Sequence, residues 1–151
     1  MRVLVTGASG FLGRHVSRAL LEAGDEVRGL VRPGAGPLEP GVERAEAAGL
    51  DDRAAVARAV AGMDAVVHLA ARVHLMRDTA ADPAAEFRRV NVEGTRLVLE
   101  EAIRAGAGRF LLASSVKAVG EGGDVPYTEE TPPAPADPYG VSKLEAERVV
   151  R

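Results

Sequence analysis

The chain has 151 residues, a net charge of −3, 46% hydrophobic and 27% charged residues, and no cysteine. That is enough chain for one domain with a real core, one that buries roughly 70% of its unfolded surface. The mildly acidic balance gives no reason to expect nucleic acid or an anionic membrane as partner, and without cysteine there is neither a disulfide framework nor thiolate chemistry.

No run of about 18 apolar residues could cross a membrane. The N-terminus enters a strand-like run directly, so no secretory leader and a cytoplasmic location are expected. His15, His68 and His74 lack the spacing of metal ligands, so no metal is expected.

In chain order, Val3-Leu4-Val5 reads as a buried strand. It runs into Thr6-Gly7-Ala8-Ser9-Gly10-Phe11-Leu12-Gly13, where three glycines recur every third position. A helix follows, with Leu12, Val16, Ala19, Leu20 and Ala23 on its predicted apolar face, closed by Ala23-Gly24. Strand, glycine turn and helix in this order suit a pyrophosphate. Gly7 allows the turn, Gly10 admits the ligand, Gly13 lets helix and strand approach, and the helix N-terminus favours the anion.

Glu26–Val31 is the second predicted strand, and a loop rich in Gly and Pro follows it. Val42–Ala45 is a weak third strand and Asp52–Ala61 a short helix. Ala65–Ala70 is an apolar fourth strand, residues 71–83 a polar loop, and Phe87, Val90, Gly94, Leu97, Val98 and Ala102 one face of a long helix reaching about Ala105. Phe110–Ser114 is the fifth strand. An extended, proline-rich loop over Gly120–Pro138 leads to a last helix with Asp137 as N-cap and Pro138 at its first position. Nearly all-apolar strands alternating with helices predict an α/β fold. It is a doubly wound parallel sheet, order 3-2-1-4-5, in a single domain over residues 1–151. The last helix meets no stop signal before Arg151, so the fold is expected to continue past this C-terminus.

Tyr139 and Lys143 stand four apart on that helix and so share a face. An ammonium held beside a phenol favours the phenolate, which general acid–base work on an alcohol or ketone needs. On its own the pair also fits a solvated helix surface.

Thr6–Gly13, His68-Leu69-Ala70-Ala71, Asn91-Val92-Glu93-Gly94-Thr95, Ser114-Ser115 and Pro138–Lys143 occur in the order seen in extended short-chain dehydrogenases/reductases. The chain resembles that family throughout, and its NAD-dependent, nucleotide-sugar epimerase/dehydratase branch in particular. The resemblance implies a Rossmann fold and catalysis by Ser115, Tyr139 and Lys143. The cofactor would be held by Gly7, Ser9, Gly10, Phe11, Leu12, Gly13, Leu69, Ala70, Ala71, Asn91, Tyr139 and Lys143, with Asn91 supporting the strand and a bound water.

Residues 109–121 and the stretch Asp124–Glu130 narrow the likeness to enzymes acting on nucleotide-activated N-acetylated sugars. Lys117 is either part of that likeness or a solvated lysine. The implied activity is an epimerase, dehydratase or reductase of a nucleotide sugar, with a homodimer as the full-length form. Relatives continue into a small substrate-binding domain, so residues 1–151 alone are expected to be inactive. The alternatives are an NADPH-dependent reductase of small ketones or steroid-like alcohols, and a non-catalytic NAD(P) sensor.

Two positions depart from the pattern. The second strand ends in Val31-Arg32 where an acid would meet the ribose 2′-hydroxyl, so Arg32, with Arg14 near, favours NADP slightly over NAD. Alternatively, Arg32 stacks on the adenine and accepts either cofactor. Gly49 stands where relatives carry an adenine-contacting Asp, and Asp51 or Asp52 either substitutes for it or caps the next helix.

Overall fold

The computed structural model describes residues 1–73, 81–123 and 126–151, so His74, most of the 71–83 loop, and Asp124 and Val125 lie outside the described residues. The described chain forms two compact units. The first comprises 1–70 and 97–113, and the second 71–96 and 114–151.

Five parallel strands build the first unit: β1 (Arg2–Thr6), β2 (Glu26–Val31), β3 (Glu43–Glu46), β4 (Ala65–His68) and β5 (Arg109–Leu112). Their order is β3-β2-β1-β4-β5, as expected. Alternation along β1 decides what covers each face. Val3 and Val5 join Val27, Val31 and Ala65 on the face packed by Val16, Leu20 and Leu21 of α1 (Phe11–Glu22). Leu4 points the other way, among Val56, Ala59 and Val60 of α2 (Arg53–Val60) and Val98 and Ala102 of α4 (Gly94–Arg104). Each such buried side chain contributes about 1.5–3 kcal/mol. This is the doubly wound arrangement.

Several boundaries differ from the sequence expectations. β4 stops at His68 and β5 at Leu112, because Leu69-Ala70 and Ala113–Ser115 turn away into loops that bear site residues. The face assigned to α1 is corrected: Leu12, Ala19 and Ala23 are exposed, whereas Gly13 and Ser17 are buried. Only Gly13 lets the first turn lie this close to β1, and that rotates Leu12 outward.

The second unit holds α3 (Pro83–Phe87), the 3₁₀ turn Val116–Ala118 and α5 (Pro138–Val150). The long helix expected from the 80s to Ala105 is interrupted. Residues Arg88–Glu93 form a π-turn between α3 and α4. Asp82 caps α3 by accepting from Ala85 N.

Candidate functional site

In the first unit the candidate region is the turn between β1 and α1. Gly7 has φ +69°, which an L side chain rarely adopts, and its N–H donates to Leu30 O at 3.0 Å. A Cβ on Gly13 would meet the Gly7 carbonyl oxygen and lie 2.6 Å from Ala8 Cα, so only glycine closes the helix onto the strand. Gly10 differs. A Cβ there would have only Gly7 O for a neighbour, at 3.2 Å, with open space beyond. Gly10 is also the N-cap of α1 and supplies no side-chain cap, so the first N–H groups of this helix lack the usual hydroxyl or carboxylate acceptor. Phe11, 79% exposed, and Leu12 stand beside them. A cradle closed on two sides and open at Gly10 fits a dinucleotide pyrophosphate.

Thr6 was not singled out from sequence, yet it holds this turn together. Its hydroxyl is fully buried and accepts from Leu69 N at 3.1 Å and from Ala70 N at 3.0 Å. A hydroxyl has two lone pairs and one proton. With both lone pairs engaged, the proton goes to His68 Nδ1, 2.8 Å away, and counting donors puts the imidazole proton on Nε2. Leu69 and Ala70 are thereby drawn against Gly7, where a Cβ would lie 2.9 Å from Ala70 N. The signal in the sequence was a hydroxyl closing an otherwise apolar strand.

At the end of β2, Arg32 is exposed. Arg14 reaches Glu39 instead. Asp52 is the cap of α2, accepting from Ala55 N at 3.1 Å. Asp51 is exposed, and its carboxylate lies over Gly49, occupying the space a side chain there would need.

In the second unit the candidate region is the start of α5. Asp137 caps it, accepting from Gly140 N at 2.6 Å, and Pro138 opens the helix. Lys117 Nζ lies 2.7 Å from both Asp137 and Glu121, so Lys117, though partly exposed, is an anchor for this helix start. The hydrogen bond to Asp137, then that to Glu121, raises the Lys117 ammonium above its ordinary value. Burial opposes ionisation of Asp137, but the bonds from Lys117 and the Gly140 amide outweigh it and hold that carboxyl below the usual range. Gly140 is needed too, because a Cβ there would strike the Lys117 carbonyl.

Asn91 is 1% exposed and sits in the π-turn. Its Oδ1 accepts from Arg72 N at 2.8 Å. Its Nδ2 donates to Arg72 O at 3.0 Å and to Ser142 Oγ at 2.9 Å. Ser142 Oγ in turn donates to Tyr139 O at 2.7 Å. The amide thus grips the backbone N–H and C=O of one residue, Arg72, and the first turn of α5 at once. Ser142 is a residue that sequence reasoning missed, although its position three after Tyr139 was the available signal.

Tyr139 is half-buried, its ring 5.9 Å from that of Phe87, over which the Arg72 guanidinium lies at 5.5 Å. Lys143, one turn on, is 4% exposed. Burial holds its ammonium below the ordinary lysine value, with the Glu147 carboxylate opposing this in part. Such a desolvated lysine is costly, and costly ionisable groups cluster at functional sites.

Ser115 caps the 3₁₀ turn, its Oγ accepting from Lys117 N at 3.3 Å, while Ser114 Oγ donates to Glu147. Ser115 and Tyr139 are not hydrogen-bonded to each other among the described residues. No group of acids or histidines suited to a metal occurs among the described residues, and no helix is long and apolar enough to cross a membrane.

The chain is similar in sequence and fold to known proteins. The chain is 35% identical over 153 residues to the UDP-glucose 4-epimerase of Vibrio cholerae, an alignment covering 97% of this chain and 45% of that protein. It is 38% identical over 157 residues to a 3-beta-hydroxysteroid dehydrogenase of Mycolicibacterium neoaurum, covering 99% and 42%. A crystal structure of a short-chain dehydrogenase/reductase superfamily protein from Agrobacterium tumefaciens with bound NAD superposes with a TM-score of 0.85 at 37% identity, covering 99% of this chain and 44% of that one. The chain therefore spans less than half the length of these relatives. The family description of NAD dependent epimerases/dehydratases matches residues 3–151, from the first strand through the glycine turn to the helix of Tyr139 and Lys143. By that match and that shared architecture, the chain belongs to the NAD dependent epimerase/dehydratase family.

Proposed function

We propose that residues 1–151 are the dinucleotide-binding and proton-transfer part of an NAD(P)-dependent enzyme that epimerises, dehydrates or reduces a nucleotide-activated sugar. The observation that carries this reading is the pairing of Tyr139 with a buried, desolvated Lys143 one turn along a helix whose start is held by Asp137, Lys117 and Asn91.

A nicotinamide dinucleotide, when bound, supplies the acceptor and donor for a hydride. Gly7, Ser9, Gly10, Phe11, Leu12 and Gly13 would hold its pyrophosphate. Leu69, Ala70 and Ala71 would line it, and Arg32 and Asp51 would meet its adenosine end. Without an acid after Val31, NADP binds at least as well as NAD. The chain's own chemistry is the proton. Tyr139 Oη removes it from the substrate hydroxyl or returns it, and Ser115 Oγ holds the same oxygen. The ammonium of Lys143 favours the phenolate through its charge and binds the ribose. Asn91 works through Ser142 and the first turn of α5, keeping Tyr139 and Lys143 in register.

A second reading, reduction of a small ketone or steroid-like alcohol, draws on the Mycolicibacterium relative and uses the same residues. The test is Tyr139→Phe made in the full-length protein, with a panel of UDP-sugars and steroid ketones. Turnover of a nucleotide sugar is expected to fall about 10²- to 10⁴-fold while dinucleotide affinity, read by calorimetry, stays within threefold. Undiminished turnover in the variant would remove Tyr139 from the chemistry. Turnover of steroid ketones alone would establish the second reading.

A further inference from the structure

Arg14 and Arg18 occupy successive turns of α1, and both reach one carboxylate. Arg18 Nη2 lies 2.8 Å from Glu39 Oε1 and Arg14 Nε lies 3.6 Å from the same atom. Glu39 is 8% exposed and belongs to the loop that Arg32 opens. That loop packs on the α1 side of the sheet through Ala35 and Leu38. The bond from Arg18, aided by the charge of Arg14, holds the Glu39 carboxyl below the usual range, so it stays ionised throughout the working pH range. Arg14, Arg18 and Arg32 bring three guanidinium groups to the end of β2 and the first turns of α1, and Glu39 cancels part of their field. Arg44, bonded to the loop carbonyls of Ala35 and Gly36, is paired with Glu46.

We propose that Glu39 sets the balance between NAD and NADP, by holding Arg14 and leaving Arg32 as the cation that meets a 2′-phosphate. The proposal rests on the dinucleotide reading of the glycine turn. NAD and NADP differ only in that phosphate, a dianion near neutral pH. A positioning carboxylate that neutralises an arginine on this side therefore lowers affinity for NADP and leaves NAD almost untouched. A residue that merely braced the loop would change both affinities together.

The experiment is calorimetric titration of the chain with NAD and with NADP, at low salt and at 0.5 M salt. Glu39→Gln is expected to shift the ratio of the two dissociation constants about fivefold toward NADP at low salt, an estimate for one unit charge acting on a dianion about 10 Å away. Most of that shift is expected to vanish at 0.5 M salt, where the Debye length is only a few ångströms. Adding Arg14→Gln to that variant is expected to restore the original ratio.

Arg14→Gln alone gives an independent reading should Glu39→Gln fold poorly. With Glu39 present it removes one unit of positive charge from the same side, and is expected to move the ratio about fivefold toward NAD at low salt. An unchanged ratio in a folded Glu39→Gln protein, or an unchanged or NADP-ward ratio in Arg14→Gln alone, would overturn the proposal. Binding of neither dinucleotide by the unsubstituted chain would overturn the dinucleotide reading, and this inference with it.

Discussion

The helices α1 and α5 begin in opposite ways. The start of α5 is closed by its own chain: Asp137 takes the Gly140 amide, Lys117 takes Asp137, and Pro138 has no N–H to satisfy. At the start of α1 stands Gly10, with no side chain to spend on the exposed amides. A glycine at the N-cap costs a few tenths of a kcal/mol relative to an aspartate. A cost accepted at α1 and avoided at α5 makes sense if a ligand's phosphates cap the first and if the second must hold Tyr139 and Lys143 still.

The strongest way to break this contrast is at the glycines. Gly10→Val is expected to abolish dinucleotide binding, a loss above 100-fold by calorimetry, while lowering stability by only about 1 kcal/mol, because φ there is −75° and the space beyond is open. Gly13→Ala is expected to fail differently. Its Cβ would overlap the Gly7 carbonyl and Ala8, costing about 3 kcal/mol in denaturant unfolding. Equal effects of the two substitutions on stability would sink the assignment of separate roles.

At α5 the expected effect is smaller. Asp137→Ala removes a cap and the main partner of Lys117, and should lower stability by about 1–2 kcal/mol with dinucleotide affinity unchanged. Asp137→Asn, which keeps the cap and loses the charge, should recover most of that. Failure of Asn to rescue would mean that the ion pair to Lys117, not the cap, fixes the helix start.

The smallest expected effect is a pH dependence. Burial lowers the Lys143 pKa in the folded protein, so the folded state binds this proton less tightly than the unfolded chain does. The resulting penalty is fully present below the folded value and disappears as pH rises toward the unfolded value near 10.4. Melting curves of Lys143→Met against the unsubstituted protein should therefore show an advantage for the variant at pH 7 that narrows steadily up to pH 10. A constant difference across that range would mean that desolvation of Lys143 does not act on stability.

What could be read from the sequence was what is local. β1, its glycine turn and the cap of α5 each lie within a dozen residues, and their residue types admit few other conformations. The edge strand β3, Glu43–Glu46, was weak in sequence because one of its sides meets no partner strand, and it forms through pairing with β2. The apolar face of α1 was misread because its first turn serves the glycine cradle rather than the sheet. The π-turn was hidden because six residues are too few for a period slightly longer than 3.6 to show. Asn91 to Ser142, Lys117 to Asp137 and Arg18 to Glu39 join positions far apart in the chain, and no periodicity announces such pairs.

The π-turn at Arg88–Glu93 also bears on how this stretch can change its length. A π-turn is an α-helix that has taken in one extra residue. Deleting any single residue from that stretch would return the helix to a regular ladder, a gain for the backbone. The wide turn is what absorbs the extra residue, so the helix on either side would keep its phase, and the buried Phe87 and Val98 would keep their faces. Asn91 would nonetheless leave the one place from which its amide reaches both Arg72 and Ser142. A one-codon deletion here is thus expected to spare the core and to cost the site.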